Sequence, residues 1–189
     1  SAEEAAARTI IFVAGQNAVT IEDSDLTDLS VLGLPNFRMA TAADKIVLPA
    51  ASVLGTTVGG NPTQINGVSV PLADNLVLTA SEVMEAQAAI SSYNATISAL
   101  ASQYGWAHFD SHAVLNQVVN SGYPMDTFNL TGDLVFGGLF SLDGVHPTAR
   151  GNAFIAKLMM AEIDATYGSN LSDAGLDIGD YPTNYPNGL

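Results

Sequence analysis

The segment Ser141-Leu142-Asp143-Gly144-Val145-His146-Pro147-Thr148 places an aspartate three residues before a histidine, on a glycine-containing turn that enters a helix. Such a turn can hold both side chains on one side, so that the carboxylate accepts from imidazole Nδ1. That bond fixes the tautomer and leaves Nε2 free to take a proton from a nucleophile, which is the orienter-and-base half of a hydrolytic triad. The same spacing also suits a purely structural turn, with Asp143 as turn former or cap and His146 as an early residue of the helix. Geometry separates the two uses. Catalysis needs Nδ1 within reach of the Asp143 carboxylate and Nε2 facing an open cleft, whereas a structural histidine is free to be buried or turned away.

The elements that must position this turn are legible around it. Pro147 suits the first position of a helix that runs to about Tyr167, with Phe154, Ile155, Leu158, Met159 and Ile163 facing the core and Gly168 as the stop. Upstream, Thr79-Ala80-Ser81-Glu82 reads as a helix entry, and Ile90, Tyr93, Ile97, Leu100 and Tyr104 recur at alternating spacings of three and four before Gly105. Residues 106–110 alternate like a short strand, and a further helix spans His112 to about Asn120, ended by Gly122. Helix, strand and helix in that order predict a crossover unit of an α/β sheet, with Tyr93 and Tyr104 in the core and Trp106 as an aromatic plug.

The first 75 residues show no long helical period. Residues 9–14, Thr-Ile-Ile-Phe-Val-Ala, form a β-branched run closed by Gly15, which predicts a buried strand. A second strand-like run covers residues 45–49, and residues 55–72 read as loops with one or two short strands. The length suits a single domain over 1–189. Within it we expect a strand- and loop-rich lobe over 1–78, a helix-strand-helix-turn-helix core over 79–168, and an extended tail over 169–189 carrying Asp180-Tyr181-Pro182 and Tyr185-Pro186.

Composition excludes several functions. The 189 residues include five Lys+Arg against 19 Asp+Glu, a net charge of −14 and a pI near 4.1. Arg8, Arg38, Lys45, Arg150 and Lys157 are scattered singly, so no basic patch faces a phosphate backbone and a nucleic-acid partner is excluded. A hydrophobic fraction of 48% and a mean hydropathy of +0.25 predict a packed core rather than a disordered chain. No apolar run approaches the roughly 20 residues that span a bilayer, and Ser1-Ala2-Glu3-Glu4 lacks the basic and apolar regions of a signal peptide, so a soluble chain without a transmembrane segment is expected. With no cysteine there is no disulfide, thiolate nucleophile or Cys-ligated zinc.

Residues 137–156, Gly-Gly-Leu-Phe-Ser-Leu-Asp-Gly-Val-His-Pro-Thr-Ala-Arg-Gly-Asn-Ala-Phe-Ile-Ala, closely resemble the last signature block of the SGNH, or GDSL-like, hydrolases. The resemblance is to an extracytoplasmic subgroup common in Bacteroidetes-type bacteria. It extends over Ser92-Tyr93-Asn94-Ala95-Thr96-Ile97, Ala113-Val114-Leu115-Asn116-Gln117-Val118 and Gly179-Asp180-Tyr181-Pro182-Thr183, so that it covers roughly residues 80–186 and the first 75 only loosely. It implies a three-layer flavodoxin-like α/β fold, here partial and preceded by an irregular β- and loop-rich segment. It also implies an esterase, lipase or other acyl hydrolase in which Asp143 and His146 are the acid and base of a Ser-His-Asp triad, located outside the cytoplasm as a secreted, periplasmic or lipid-anchored protein. No cofactor or metal is implied.

The family carries its nucleophile in a G-D-S or G-N-S turn after its first strand, and its oxyanion donors in a later Gly and the Asn of a G-x-N-D block. Two segments here mimic these blocks. Asp23-Ser24-Asp25-Leu26 resembles the nucleophile block, but Glu22 stands where Gly is required, and Ser24 lies among Glu22, Asp23, Asp25 and Asp28, whose field opposes the negative charge that develops on a nucleophile and its oxyanion. Gly15-Gln16-Asn17 resembles the oxyanion block with Ala18 in place of Asp, and Asn17 suits a turn equally well. Gly59-Gly60-Asn61-Pro62 is a weaker copy with no strand feeding it.

The chain therefore reads as the C-terminal part of a larger serine ester hydrolase, with the nucleophile and oxyanion hole upstream of residue 1, and inactive or weakly active alone. Its substrate would be a small-molecule, lipid or glycan ester, and its exposed sheet edge would pair with the missing N-terminal half or with itself. A non-catalytic acidic binding or structural module is the rival reading, and a complete small esterase using Ser24 is the third. Two further features have simpler explanations. His108 and His112 flank Asp110 but would not share a helical face if a strand ends between them, and the acidic loop over 22–28 lacks the Gly and Glu positions of a calcium-binding loop, so no metal site is expected.

Overall fold

The computed structural model describes residues 1–183; the Tyr185-Pro186 pair of the expected tail lies outside the described residues. The chain divides into two compact units, Ser1–Ser91 and Ser92–Leu189, and the division falls inside a helix rather than at the composition change near residue 78. Helices and small antiparallel sheets occur together, which is α/β character at the coarse level.

In the first unit a short helix, α1 (Ala2–Ala7), is followed by β1 (Thr20–Glu22), β2 (Phe37–Met39), β3 (Lys45–Ile46) and β4 (Val77–Leu78). Strand β1 pairs antiparallel with β2, Ile21 opposite Arg38, and β3 pairs antiparallel with β4. Its apolar core is small: Ile21, Leu72 and Val77 are buried. Beside it stands a buried ionic cluster. Arg38 Nε donates to Asp23 Oδ2 at 2.5 Å while its two terminal nitrogens fork onto Asp44 at 2.7 Å each. Asp44 also accepts from the backbone N–H of Thr41 and of Ala80, and its side chain is fully buried. The guanidinium fork, opposed by its own burial and aided by the Thr41 N–H, holds the Asp44 carboxyl well below the usual range, and Asp44 in turn raises Arg38.

Helix α2 (Ala80–Tyr104) starts as expected. Thr79 N–H donates to Glu82 Oε2 at 2.7 Å and Glu82 N–H points back to Thr79 Oγ1 at 3.4 Å, a capping box. In the second unit follow α3 (Ser111–Ser121), β5 (Tyr123–Met125), β6 (Phe128–Leu130) and α4 (Ala149–Tyr167). Asp110 caps α3 by accepting from Ala113 N–H, and β5 and β6 form an antiparallel hairpin. Val118, Leu130, Leu139, Ala153, Phe154 and Ile178 are buried as one apolar cluster, with Tyr123 edge-on to Phe154. This cluster carries α4 and the loop that precedes it. Among the described residues no helix is long and apolar enough to cross a membrane.

Four expectations are corrected. Residues 9–14 form no strand, and Ile11 and Val13 are each 63% exposed, because no neighbouring strand offers the ladder that would pay for their burial. Residues 106–110 likewise form no strand, and every named strand pairs antiparallel in a two-stranded sheet, so the helix-strand-helix crossover is absent among the described residues. Tyr93, Tyr104 and Trp106 are exposed rather than core, with Tyr104 and Trp106 stacked at 5.0 Å. The tail is not simply extended: it folds into 3-10 turns at Leu171–Ala174 and Ile178–Asp180, and Ile178 is fully buried because its side chain completes the apolar cluster.

Candidate active site

The loop over residues 138–148 is a narrow hairpin standing on the first turn of α4. The Thr148 hydroxyl accepts from Gly151 N–H at 2.9 Å and donates to Gly138 O at 2.7 Å. Thr148 therefore caps the helix and Ala149 is its first residue; Pro147, expected at that first position, precedes the cap instead and is bridged to Phe140, because the threonine offers an oxygen to the free N–H groups of the first turn. Thr148 N–H donates to Leu139 O and Ser141 N–H to His146 O, both at 2.8 Å, and these bonds hold the two arms together. The base is tight. A Cβ on Gly151 would stand 2.3 Å from Leu139 O, so this position admits no side chain. At the tip Gly144 N–H donates to Ser141 O, and Gly144 adopts the left-handed region at φ 72° that glycine takes without strain.

This tip brings Asp143 and His146 together. Asp143 Oδ2 lies 2.7 Å from His146 Nδ1, while Oδ1 accepts from the Ser141 hydroxyl at 2.7 Å and from the Val145 and His146 N–H groups at 2.9 Å each. These bonds, the Ser141 hydroxyl first, then the Val145 N–H and the imidazole, hold the Asp143 carboxyl far below the usual carboxylate range. It stays ionised at neutral pH, so it can orient and stabilise an imidazolium without taking its proton. The His146 side chain is 79% exposed and that of Asp143 51%. Among the described residues nothing bonds to His146 Nε2, and its turn neighbours Leu142 and Val145 are exposed as well.

The remaining sequence candidates lie elsewhere. Gly15, Asn17 and Ser24 belong to the unit Ser1–Ser91, which contains no histidine, so Ser24 has no imidazole base within its own unit. Ser24 lines a shallow acidic hollow with Glu22, Asp23 and Asp74. The Asn17 amide is spent on its own turn: Nδ2 donates to Val13 O and Gly15 O, and Oδ1 accepts from Val13 N–H. Neither of its N–H groups remains for an oxyanion. Asp110 is occupied as a helix cap and His112 faces Asn116 Nδ2, while His108 lines a separate groove with Phe109, Met159 and Glu162. Among the described residues no group of three or more His, Asp or Glu is placed to hold a metal ion.

Ser141 is the residue whose part the sequence reading missed. A hydroxyl two positions before a turn aspartate is a common local hydrogen-bond partner, and that spacing could have found it. The chain matches no protein-family model, no curated protein and no solved structure.

Proposed function

We propose that this chain carries the acid–base half of an SGNH-type serine ester hydrolase, with a nucleophilic serine and oxyanion donors supplied by polypeptide outside residues 1–189. The observation that carries the reading is the 2.7 Å approach of His146 Nδ1 to Asp143 Oδ2 with Nε2 left open. In that arrangement Nε2 takes the serine proton as its oxygen attacks an ester carbonyl, and the ionised Asp143 stabilises the resulting imidazolium. The proton then passes to the departing alcohol, and water, deprotonated by the same nitrogen, releases the acid. The finer architecture belongs to the same proposal: α2, α3 and α4 as helices of a three-layer flavodoxin-like body, in a secreted, periplasmic or lipid-anchored bacterial enzyme acting on a small-molecule, lipid or glycan ester. The resemblance of residues 137–156 supports both.

One observation favours the rival, non-catalytic reading. Asp143 Oδ1 is saturated by three bonds within its own turn, so this aspartate has a structural use whatever His146 does. Hydrolysis of p-nitrophenyl acetate by the wild type, His146→Ala and Ser24→Ala separates the readings. His108 and His112 remain in every variant as internal controls for unassisted imidazole. We expect His146→Ala to lower the rate about tenfold, toward that of the control histidines, and Ser24→Ala to leave it unchanged. Loss in both variants would overturn the proposal in favour of a complete esterase using Ser24. A Gly-Asp-Ser or Gly-Asn-Ser turn encoded upstream of Ser1 is the expected source of the nucleophile.

A further inference from the structure

The segment after α4 returns to the foot of the catalytic turn and is fastened there from several sides. Ile178 is the pin. Its side chain is fully buried with Leu130, Leu139 and Phe154, its N–H donates to Asp126 Oδ2 at 3.1 Å, and Asp126 is itself held by Lys157 at 2.5 Å. The Ile178 carbonyl accepts from Arg150. The Nε–H of Arg150 is shared between Ile178 O and Tyr181 O at 3.2 Å each, its backbone N–H donates to Pro182 O at 3.2 Å, and its guanidinium lies 3.9 Å over the Phe128 ring. Two neighbours confirm how closely the strap lies: a Cβ on Gly179 would meet Phe128 at 3.1 Å, and one on Gly138 would meet the Thr183 methyl at 3.7 Å.

Arg150 stands two residues after Thr148, the cap that grips Gly138 and Leu139 at the base of the loop. One arm of the hairpin is thus covalently joined to a helix turn that the strap holds, and the other arm begins at Gly138, whose carbonyl the Thr148 hydroxyl of that same turn grips. The Asp143–His146 pair, by contrast, is exposed and receives no packing of its own. A 2.7 Å contact between two exposed side chains is weakly held unless the backbone beneath them is rigid.

We propose that Arg150 is a positioning residue for this pair: by clasping residues 178–182 it locks the first turn of α4, and with it the base of the 138–148 loop, so that His146 Nδ1 stays on the Asp143 carboxylate. The inference rests on reading that pair as acid and base. Arg150 touches neither of them and no reactant, and it acts only through the strap, the cap and the two arms of the hairpin.

The test is the tautomer of His146 in the full chain, read from imidazole nitrogen chemical shifts at about pH 9, where a histidine is neutral. A carboxylate on Nδ1 favours the Nδ1–H form, whereas an unrestrained histidine has no such bias. Arg150→Met keeps an apolar stem over Phe128 and removes the donor, and we expect it to lower the ratio of Nδ1–H to Nε2–H forms about tenfold, with Arg150→Lys recovering part of the difference. Thermal melting is measured beside it. A fall in melting temperature with the wild-type tautomer ratio would make Arg150 merely structural and overturn the proposal, as would an unchanged ratio without any fall. If Arg150→Met does not fold, Ile178→Val, which loosens the pin by one methylene, replaces it under the same criteria. The tautomer is read without substrate, so loss of hydrolysis in both His146→Ala and Ser24→Ala overturns the proposed function alone, and a tautomer ratio indifferent to Arg150 overturns this inference alone.

Discussion

The two units are held by different physics. In Ser1–Ser91 a cluster of three buried apolar side chains, Ile21, Leu72 and Val77, shares the interior with a guanidinium and two carboxylates, and the buried aspartates are neutralised only because Arg38 forks between them. In Ser92–Leu189 the main cluster consists of six buried apolar side chains, the buried Thr148 hydroxyl is bonded to Gly138 O and Gly151 N–H, and the charged residues near the loop work at its margins, as Arg150 and Lys157 do. A buried ion cluster is costly to desolvate and punishes the loss of one partner, whereas an apolar cluster loses stability in proportion to the volume removed. The candidate site sits on the second kind of support, whose apolar burial does not itself depend on pH. A general base whose own protonation changes during turnover is best carried by such a foundation.

The sharpest way to break this contrast is a pair of core substitutions compared across pH. Arg38→Met should cost about 3–5 kcal/mol at neutral pH, since it strands the Asp23 and Asp44 charges in the interior. Phe154→Ala should cost a similar 3–5 kcal/mol through its cavity. Denaturant titration should show the Phe154→Ala deficit holding constant between neutral and mildly acid pH. The Arg38→Met deficit should shrink over that range, because the stranded carboxylates then take up protons. Two deficits with the same pH dependence would erase the distinction.

A smaller effect tests the wild-type cluster directly. The folded-state value of Asp44 is depressed, so its contribution is complete above the ordinary aspartate value of about 4 and is lost as pH falls below it toward the depressed value. Amide protection factors in β1 and β2 should therefore fall below about pH 4, and in Arg38→Met the slope should reverse, stability falling as pH rises. The smallest effect lies in the other unit. Thr148→Ala removes the α4 cap and should cost about 1 kcal/mol, measured by thermal melting, with no dependence on pH in the neutral range. A loss several times larger would mean that the Gly138 contact, rather than the cap, carries the loop.

Legibility in the sequence followed the range of the interactions. Helices α2, α3 and α4 were readable to within a few residues, since Glu82, Gly122 and Gly168 mark their ends by contacts made within one or two turns. The Asp143–His146 pair was readable for the same reason. The run over residues 9–14 has the composition of a strand and yet forms none, because strand structure depends on a partner that composition does not reveal. Arg38, Arg150 and Ile178 each looked ordinary as isolated letters. Their importance comes from Asp23 and Asp44 for Arg38, from a tail segment about 30 residues away for Arg150, and from the distant apolar cluster it enters for Ile178.

What the amino-acid order determined by itself is the set of short-range features: three helices with their glycine stops, a glycine turn, an acid placed to meet an imidazole, and a charge too negative for nucleic acid. What only the tertiary structure decided is whether those pieces are held still. The fork of Arg38 on two aspartates and the strap of residues 178–182 across the foot of α4 join groups distant along the chain. Such contacts exist only after the entropy of closing long loops has been overcome by the burial they accompany, and no local pattern records that balance.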